Sequence, residues 1–328
     1  IPRIDFSDDA NGALLLEPFS RNLIHYSEDF SNASWNKYGT PTIDITSIIS
    51  PDGTLNGTKL TRGNNPTPLR SVNLTTLGTE YTFSLYAKKG SVDTMFLDIG
   101  DETNVQFTLT DEWQRFELTS TPNTFNHIDI SFGTSVSGDN IFIYGAQVEQ
   151  GSYATSYIKT IGTTQTRVAD SCFKYDINTS IINSSYPFSM YAESTYVGGN
   201  TFVLSFSKNT TSNNYYVISI SGNNEVVFDA RANGSTELIQ SGVTLVDGQK
   251  FKAAITMESA TSGKICVNGN TVVSKTNFSN QAVNSLINDL LLGQLRTSSD
   301  TGSRLPITDL RVYNTVLTDQ ELINLTTI

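Results

Sequence analysis

The residues of this sequence that could do acid–base chemistry are its paired carboxylates. Glu225 and Asp229, in EVVFD, stand at i, i+4 and share one face of a strand. Two acids so placed could reach one glycosidic bond, one protonating the leaving oxygen and the other serving as base or nucleophile. Glu225 directly follows the turn SGNN, however, which reads as an exposed strand start and not as a cleft. Glu193 stands alone in YAEST, and Glu258 falls at a strand end. Asp98, Asp101 and Glu102 cluster around Gly100. They read as a strand-ending acidic turn, with a calcium site as the alternative, since hard oxygen ligands suit calcium.

Other chemistries lack their parts. The two histidines, His25 and His127, sit in different strands or loops, and neither is spaced from a carboxylate as HExxH requires. Neither a G-x-S-x-G elbow nor a cysteine near a histidine is present. Cys172 and Cys266, the only cysteines, read as two separate thiols. No catalytic residue and no cofactor are therefore expected.

Sugar binding needs less machinery: an aromatic face to stack on a ring, and amide, carboxylate or guanidinium groups for the hydroxyls. Trp35 and Tyr38 lie together in the polar stretch SNASWNKYG, whereas Trp113 in DEWQRF reads as structural. Tyr215 and Tyr216 follow the Asn-rich loop Lys208–Asn214, and one of them must face outward from a strand. The polar loop Arg296–Arg304 adds Arg296. These five residues are the expected carbohydrate contacts.

The elements that would hold them are strands. At 328 residues the chain suits two domains of about 150 residues, each able to bury a core. Only 16 % of residues are charged, and Thr, Ser, Asn and Gly are abundant, a mixture that favours strands joined by polar turns. A net charge of −11 argues against nucleic acid and against anionic membranes, and no apolar run is long enough to span a bilayer. The chain begins at Ile1 and not at Met, so an upstream segment that anchors it is expected.

Short strands at regular intervals mark sandwiches. In the first half they are Tyr81–Lys88, Thr94–Ile99, Val105–Leu109, Arg115–Thr119, His127–Phe132 and Ile141–Val148. In the second they are Phe188–Thr195, Thr201–Ser207, Tyr215–Ser221, Glu225–Ala230, Lys250–Met257, Gly263–Val267 and Thr271–Ser274. Asn11-Gly12 and Asn268-Gly269 are hairpin turns. Thr318 followed by Glu321 is a capping box, opening the one expected helix. The strand period is lost after Val148, and TIGTTQTRVAD reads as an extended linker. The expected division is residues 1–21 as an N-terminal hairpin or collar, 22–161 as a first sandwich, 162–170 as linker and 171–328 as a second sandwich.

The sequence carries three resemblances. PRIDFSDDANGALLLEPFSRNLIHYSEDFSNASW (Pro2–Trp35) and NIFIYGAQVEQGSYATSYIKT (Asn140–Thr160) resemble phage and prophage adhesins, departing at Phe19-Ser20 where that family has Gln-Arg. YTFSLYAKKG followed by DEWQRFELT resembles carbohydrate-binding-module jelly rolls. FKAAITMESATSGKICVNGNTVVS followed by LLLGQLRTSSDTGSRLPITDLRVYNTVLTDQEL resembles concanavalin-A-like, laminin-G-like sandwiches.

The resemblances imply an all-β protein, a jelly roll followed by a laminin-G-like sandwich behind the hairpin. They imply a non-catalytic bacteriophage fibre component, on head or tail, recognising bacterial surface glycans. It would be displayed on the virion surface as a homotrimer, with ALLL near the start as a subunit contact and other virion proteins met through the upstream anchor. Two rival readings are the accessory region of a secreted polysaccharide-degrading enzyme and a ligand-free decoration protein.

Overall fold

The computed structural model describes residues 3–6, 10–72, 75–100, 104–132, 136–174, 186–199, 201–207, 214–232, 235–278, 289–293 and 305–328. The chain divides into two compact units: Ser20–Val168, and a second built from Ile1–Phe19 together with Ala169–Ile328. Both are antiparallel β-sandwiches.

In the unit Ser20–Val168, two five-stranded sheets form a jelly roll. One runs in the order Val105–Thr108, Thr94–Ile99, His127–Ser131, Leu69–Val72, Asn36–Lys37. The other runs Gln114–Ser120, Tyr81–Lys89, Asn140–Gln150, Gly57–Thr61, Thr42–Ile48. Alternation builds the core: Met95, Leu97 and Ile99 from one sheet meet Phe83, Leu85 and Ala87 from the other, all fully buried. The six strands expected here all form, within one or two residues of the expected ends.

The stretch Asn140–Thr160 owes its unusual wording to a buried polar staple. Gly145 takes φ +64 at a bulge in the closing strand, where an added Cβ would press on the Tyr157 ring. Beyond the bulge, buried Glu149 accepts from Ser20 Oγ, from Gln147 Nε2 and from both the backbone N and Oγ1 of Thr155. Asn22 donates to the carbonyls of Ala146 and Ile158 and accepts from Val148 N and Ile24 N. Ser27, Tyr157 and Thr160 continue the network. Glu149 and Asn22 thus have both ends of their buried polar groups partnered, which offsets the cost of burying them.

The segment 162–170 is not an open linker. Gln165–Arg167 is a strand paired with Ser20–Asn22, and Asp170 exchanges hydrogen bonds with Glu17, its N donating to Glu17 O and its Oδ2 accepting from Glu17 N. Its threonines and its lack of alternation hid a three-residue strand too short to show a period.

The second unit pairs a seven-stranded with a six-stranded sheet. The seven run Arg3–Asp5, Ala13–Leu16, Leu305–Tyr313, Phe188–Thr195, Lys250–Ser259, Ser262–Val267, Val273–Thr276. The six run Cys172–Lys174, Asp289–Leu292, Thr201–Ser207, Tyr215–Ile220, Glu225–Ala232, Ser235–Thr244. The N-terminal hairpin, expected as a separate collar, is therefore part of this sandwich. Leu14, Leu15 and Leu16 pair with Ile307, Pro306 and Leu305, and Ala13, Leu15 and Leu16 are buried, so ALLL is a core strand and not a subunit contact. The hairpin turns at Gly12 (φ +79) and at Asn268-Gly269 (φ 54 and 67) form as expected. The strand after the latter runs Val273–Thr276, two residues beyond its expected place. Helix Asp319–Thr326 starts on the full Thr318/Glu321 capping box. Both cysteines are free, Cys266 buried against the helix residue Thr326.

Candidate functional site

The outer face of the sheet that carries Leu69–Val72 and His127–Ser131 holds a row of converging polar side chains. Ile128, Ile130, Leu97 and Leu69 turn into the core, so Asp129, Asp98 and Arg70 turn the other way. Cross-strand register sets them side by side. Asn36 lies opposite Arg70, Arg70 opposite Asp129, and Asp129 opposite Asp98. Arg70 donates from Nε to Asp129 Oδ1 at 2.7 Å and from Nη2 to Oδ2 at 2.6 Å, a two-pronged ionic pair. Burial pushes the Asp129 carboxyl up from its ordinary value, while the Arg70 hydrogen bond and charge pull it back. His127, two residues before Asp129 on the same face, brings Nε2 to 3.8 Å from Asp129 Oδ2 and 4.0 Å from Asp98 Oδ2.

These groups border two adjoining hollows. One, of about 180 Å³, is lined by Thr67, Arg70, Asp98, Asn104, Asp129 and Ser131. The other, of about 290 Å³, is lined by Tyr38, Asn65, Thr67 and Arg70, so Thr67 and Arg70 belong to both. Tyr38 is 40 % exposed at one end, and Asn104 is exposed at the other. A larger hollow of about 360 Å³ lies over Leu23, His25, Asn36 and Val72, but its lining has one titratable side chain and no ion pair among the described residues. Chemistry converges in the smaller pair.

The expected contact residues fare unequally. Tyr38 stands at the groove. Trp35 does not: it is 1 % exposed, packed on Phe30 at 5.1 Å, and its Nε1 donates to Tyr26 O, so the ring is core and cannot stack on a sugar. Tyr216 is fully buried beside Phe228, its hydroxyl bonded to that of Tyr186. Tyr215 lies on the opposite face, as alternation requires, yet is only 5 % exposed, its hydroxyl held 3.0 Å from Asp229 Oδ2. Arg296 falls outside the described residues, as do Asp101 and Glu102 and all of Lys208–Asn214 but its last residue. Asp98 is described, and it lies beside His127 and Asp129.

The carboxylate pair of the second unit is divided by its partners. Glu225 accepts from Gln240 Nε2 and from Gly242 N, securing a bulge at which Gly242 takes φ +73. Asp229 accepts from Tyr215, and burial pushes its carboxyl up to about 6. Trp113 is structural, donating to Ile49 O.

His127 meets its carboxylate neighbours at strand spacing and not at the helical spacing of HExxH. Asp129 follows at i+2 on the same strand, and Asp98 arrives across the sheet. The HIDIS alternation, with Ile on one face and His, Asp and Ser on the other, was the available signal.

Residues 174–323 match the Concanavalin A-like lectin/glucanases superfamily. That part of the chain is a concanavalin A-like domain. Among solved structures, the chain is similar to the Ruminococcus gnavus IT-sialidase CBM40 bound to α2,3-sialyllactose, at 16 % identity and TM-score 0.38 over 44 % of this chain and 84 % of that one. It is also similar to the botulinum neurotoxin serotype G binding domain, at 17 % identity and TM-score 0.38 over 51 % and 43 %. A third similarity is to the SAP-like pentraxin of Limulus polyphemus, at 12 % identity and TM-score 0.33 over 46 % and 79 %. No curated protein matches the chain.

Proposed function

We propose that this chain is a non-catalytic glycan-binding protein whose binding face is the groove from Tyr38 through Arg70 and Asp129 to Asn104. The observation that carries it is the convergence of a two-pronged Arg70–Asp129 pair, a second carboxylate, two amides and an exposed phenol along one open sheet face. Fixed donors and acceptors beside an aromatic plane suit sugar hydroxyls and a pyranose face. The net charge of −11 favours neutral sugars over acidic polymers.

Its setting on the virion surface of a bacteriophage, as a homotrimeric fibre component that meets other virion proteins, rests on the resemblance of Pro2–Trp35 and Asn140–Thr160 to phage adhesins. Several weak sugar sites on one particle would bind together with far greater strength than one. The non-catalytic reading is supported by the commitment of Glu225 to Gln240 and Gly242.

A glycan array followed by titration of the best ligand tests the proposal. Tyr38→Ala and Asn104→Ala should each weaken binding by about tenfold, with binding little changed by salt. Parent-like binding by both variants would overturn the site, and an empty array would favour a ligand-free decoration protein. Reducing-end release lost with Asp98→Asn would overturn the non-catalytic reading. Labelling of purified phage particles with antibody to this chain tests the virion setting.

A further inference from the structure

We propose that Asp98, His127 and Asp129 form a binding site for a first-row divalent transition ion of the zinc class, opening on the 180 Å³ hollow. It shares residues with the glycan groove but rests on none of that reading.

Two neighbouring strands build the three-ligand set. His127 and Asp129 project from one face of a single strand, and Asp98 stands directly across from Asp129. One ligand atom from each lies within 4.8 Å of the others. All three are buried, at 4–5 % exposure. The imidazole Nε2 is 3.8 and 4.0 Å from the two carboxylates, too far for a hydrogen bond. An ion about 2.0–2.2 Å from each ligand atom would lie between groups so spaced after a small contraction.

The donor set selects the metal class. Imidazole nitrogen suits zinc and its neighbours, whereas calcium and magnesium favour all-oxygen shells. Charge argues the same way. Like charges directly opposite on a sheet repel, and here two buried carboxylates face each other. Arg70 bonds Asp129 as an outer partner orients a ligating carboxylate. A divalent ion would offset the repulsion between carboxylates so placed. With three protein ligands, its further positions would face the hollow, where Asn104, Ser131 and Thr67 stand.

The test uses the full chain, stripped with a chelator and dialysed. Calorimetric titration with Zn2+ should show one site per chain, Co2+ should give the visible spectrum of a mixed nitrogen–oxygen site, and Ca2+ should not compete. His127→Asn and Asp98→Asn should each weaken Zn2+ by at least about tenfold. His25→Ala, which removes the exposed histidine, should leave the stoichiometry unchanged. If the variants do not fold, the parent alone decides, since Zn2+ must then raise its melting temperature and a chelator reverse this. No binding by the parent, binding unchanged by His127→Asn, or binding lost with His25→Ala overturns the site. Glycan affinity measured on the stripped protein is independent, so either reading can fail alone.

Discussion

Arg70 holds Asp129 through both guanidinium edge nitrogens, while Asp98 presses a second carboxylate against the far side of the same residue. The pair is unequally buried, Arg70 at 26 % side-chain exposure and Asp129 at 7 %. Loss of the arginine would leave a buried charge without its counter-ion, which costs more than the pair itself contributes. Arg70→Met should therefore destabilise the unit by roughly 2–4 kcal/mol. The double variant Arg70→Met/Asp129→Leu should recover most of that loss in denaturant titrations. A loss in the double variant equal to the sum of the two single-variant losses would show that the pair is not coupled.

Trp35 and Tyr38, three residues apart, should separate cleanly. Trp35→Ala empties a fully buried site against Phe30 and should cost about 3–5 kcal/mol. Tyr38→Ala removes a ring at the groove edge and should change stability by less than about 0.5 kcal/mol, while weakening glycan binding. Thermal melts paired with binding titrations check both.

That contrast shows where the sequence was legible. Long strands with a two-residue period, such as YTFSLYAKK and NIFIYGAQVEQ, declared themselves because one face had to be apolar. Asn36–Lys37 and Gln165–Arg167 did not, because two or three residues carry no period. Nor did Asp289–Leu292 and Leu305–Tyr313, set among polar sequence. The groove was half visible. Tyr38 and Asp98 could be singled out, but Arg70 and Asp129 become partners only through the register of strands 59 residues apart. Trp35 and Tyr38 look alike in a polar stretch, and only packing decides which ring is covered.

Asp229 should make the second unit's stability fall as pH rises. Its carboxyl is pushed up to about 6 by burial, against an ordinary value of 3.8, so between those values the folded state binds more protons than the unfolded one. The contribution is fully present below the lower value and is lost as pH climbs through about 6, on the order of 2–3 kcal/mol in all. Asp229→Asn keeps an acceptor for Tyr215 and carries no charge. Relative to the parent it should gain stability between pH 4 and pH 7, read by denaturant titration at each pH. A constant difference would refute the burial argument.

Glu149 tests whether the wording of Asn140–Thr160 specifies fold or ligand. Its two oxygens receive donors from Ser20, Gln147 and Thr155, all in the buried staple that ties the chain's entry to its exit from the jelly roll. A carboxylate can accept all of these at once, whereas an amide must turn an N–H₂ toward at least one donor. Glu149→Gln should therefore cost about 2–3 kcal/mol through a mispaired buried group. Below its lowered melting temperature, the variant should bind glycan as the parent does, because Glu149 lines neither groove hollow. Full stability with lost binding would reverse the assignment and make this stretch, not the Arg70–Asp129 face, the place to look for ligand.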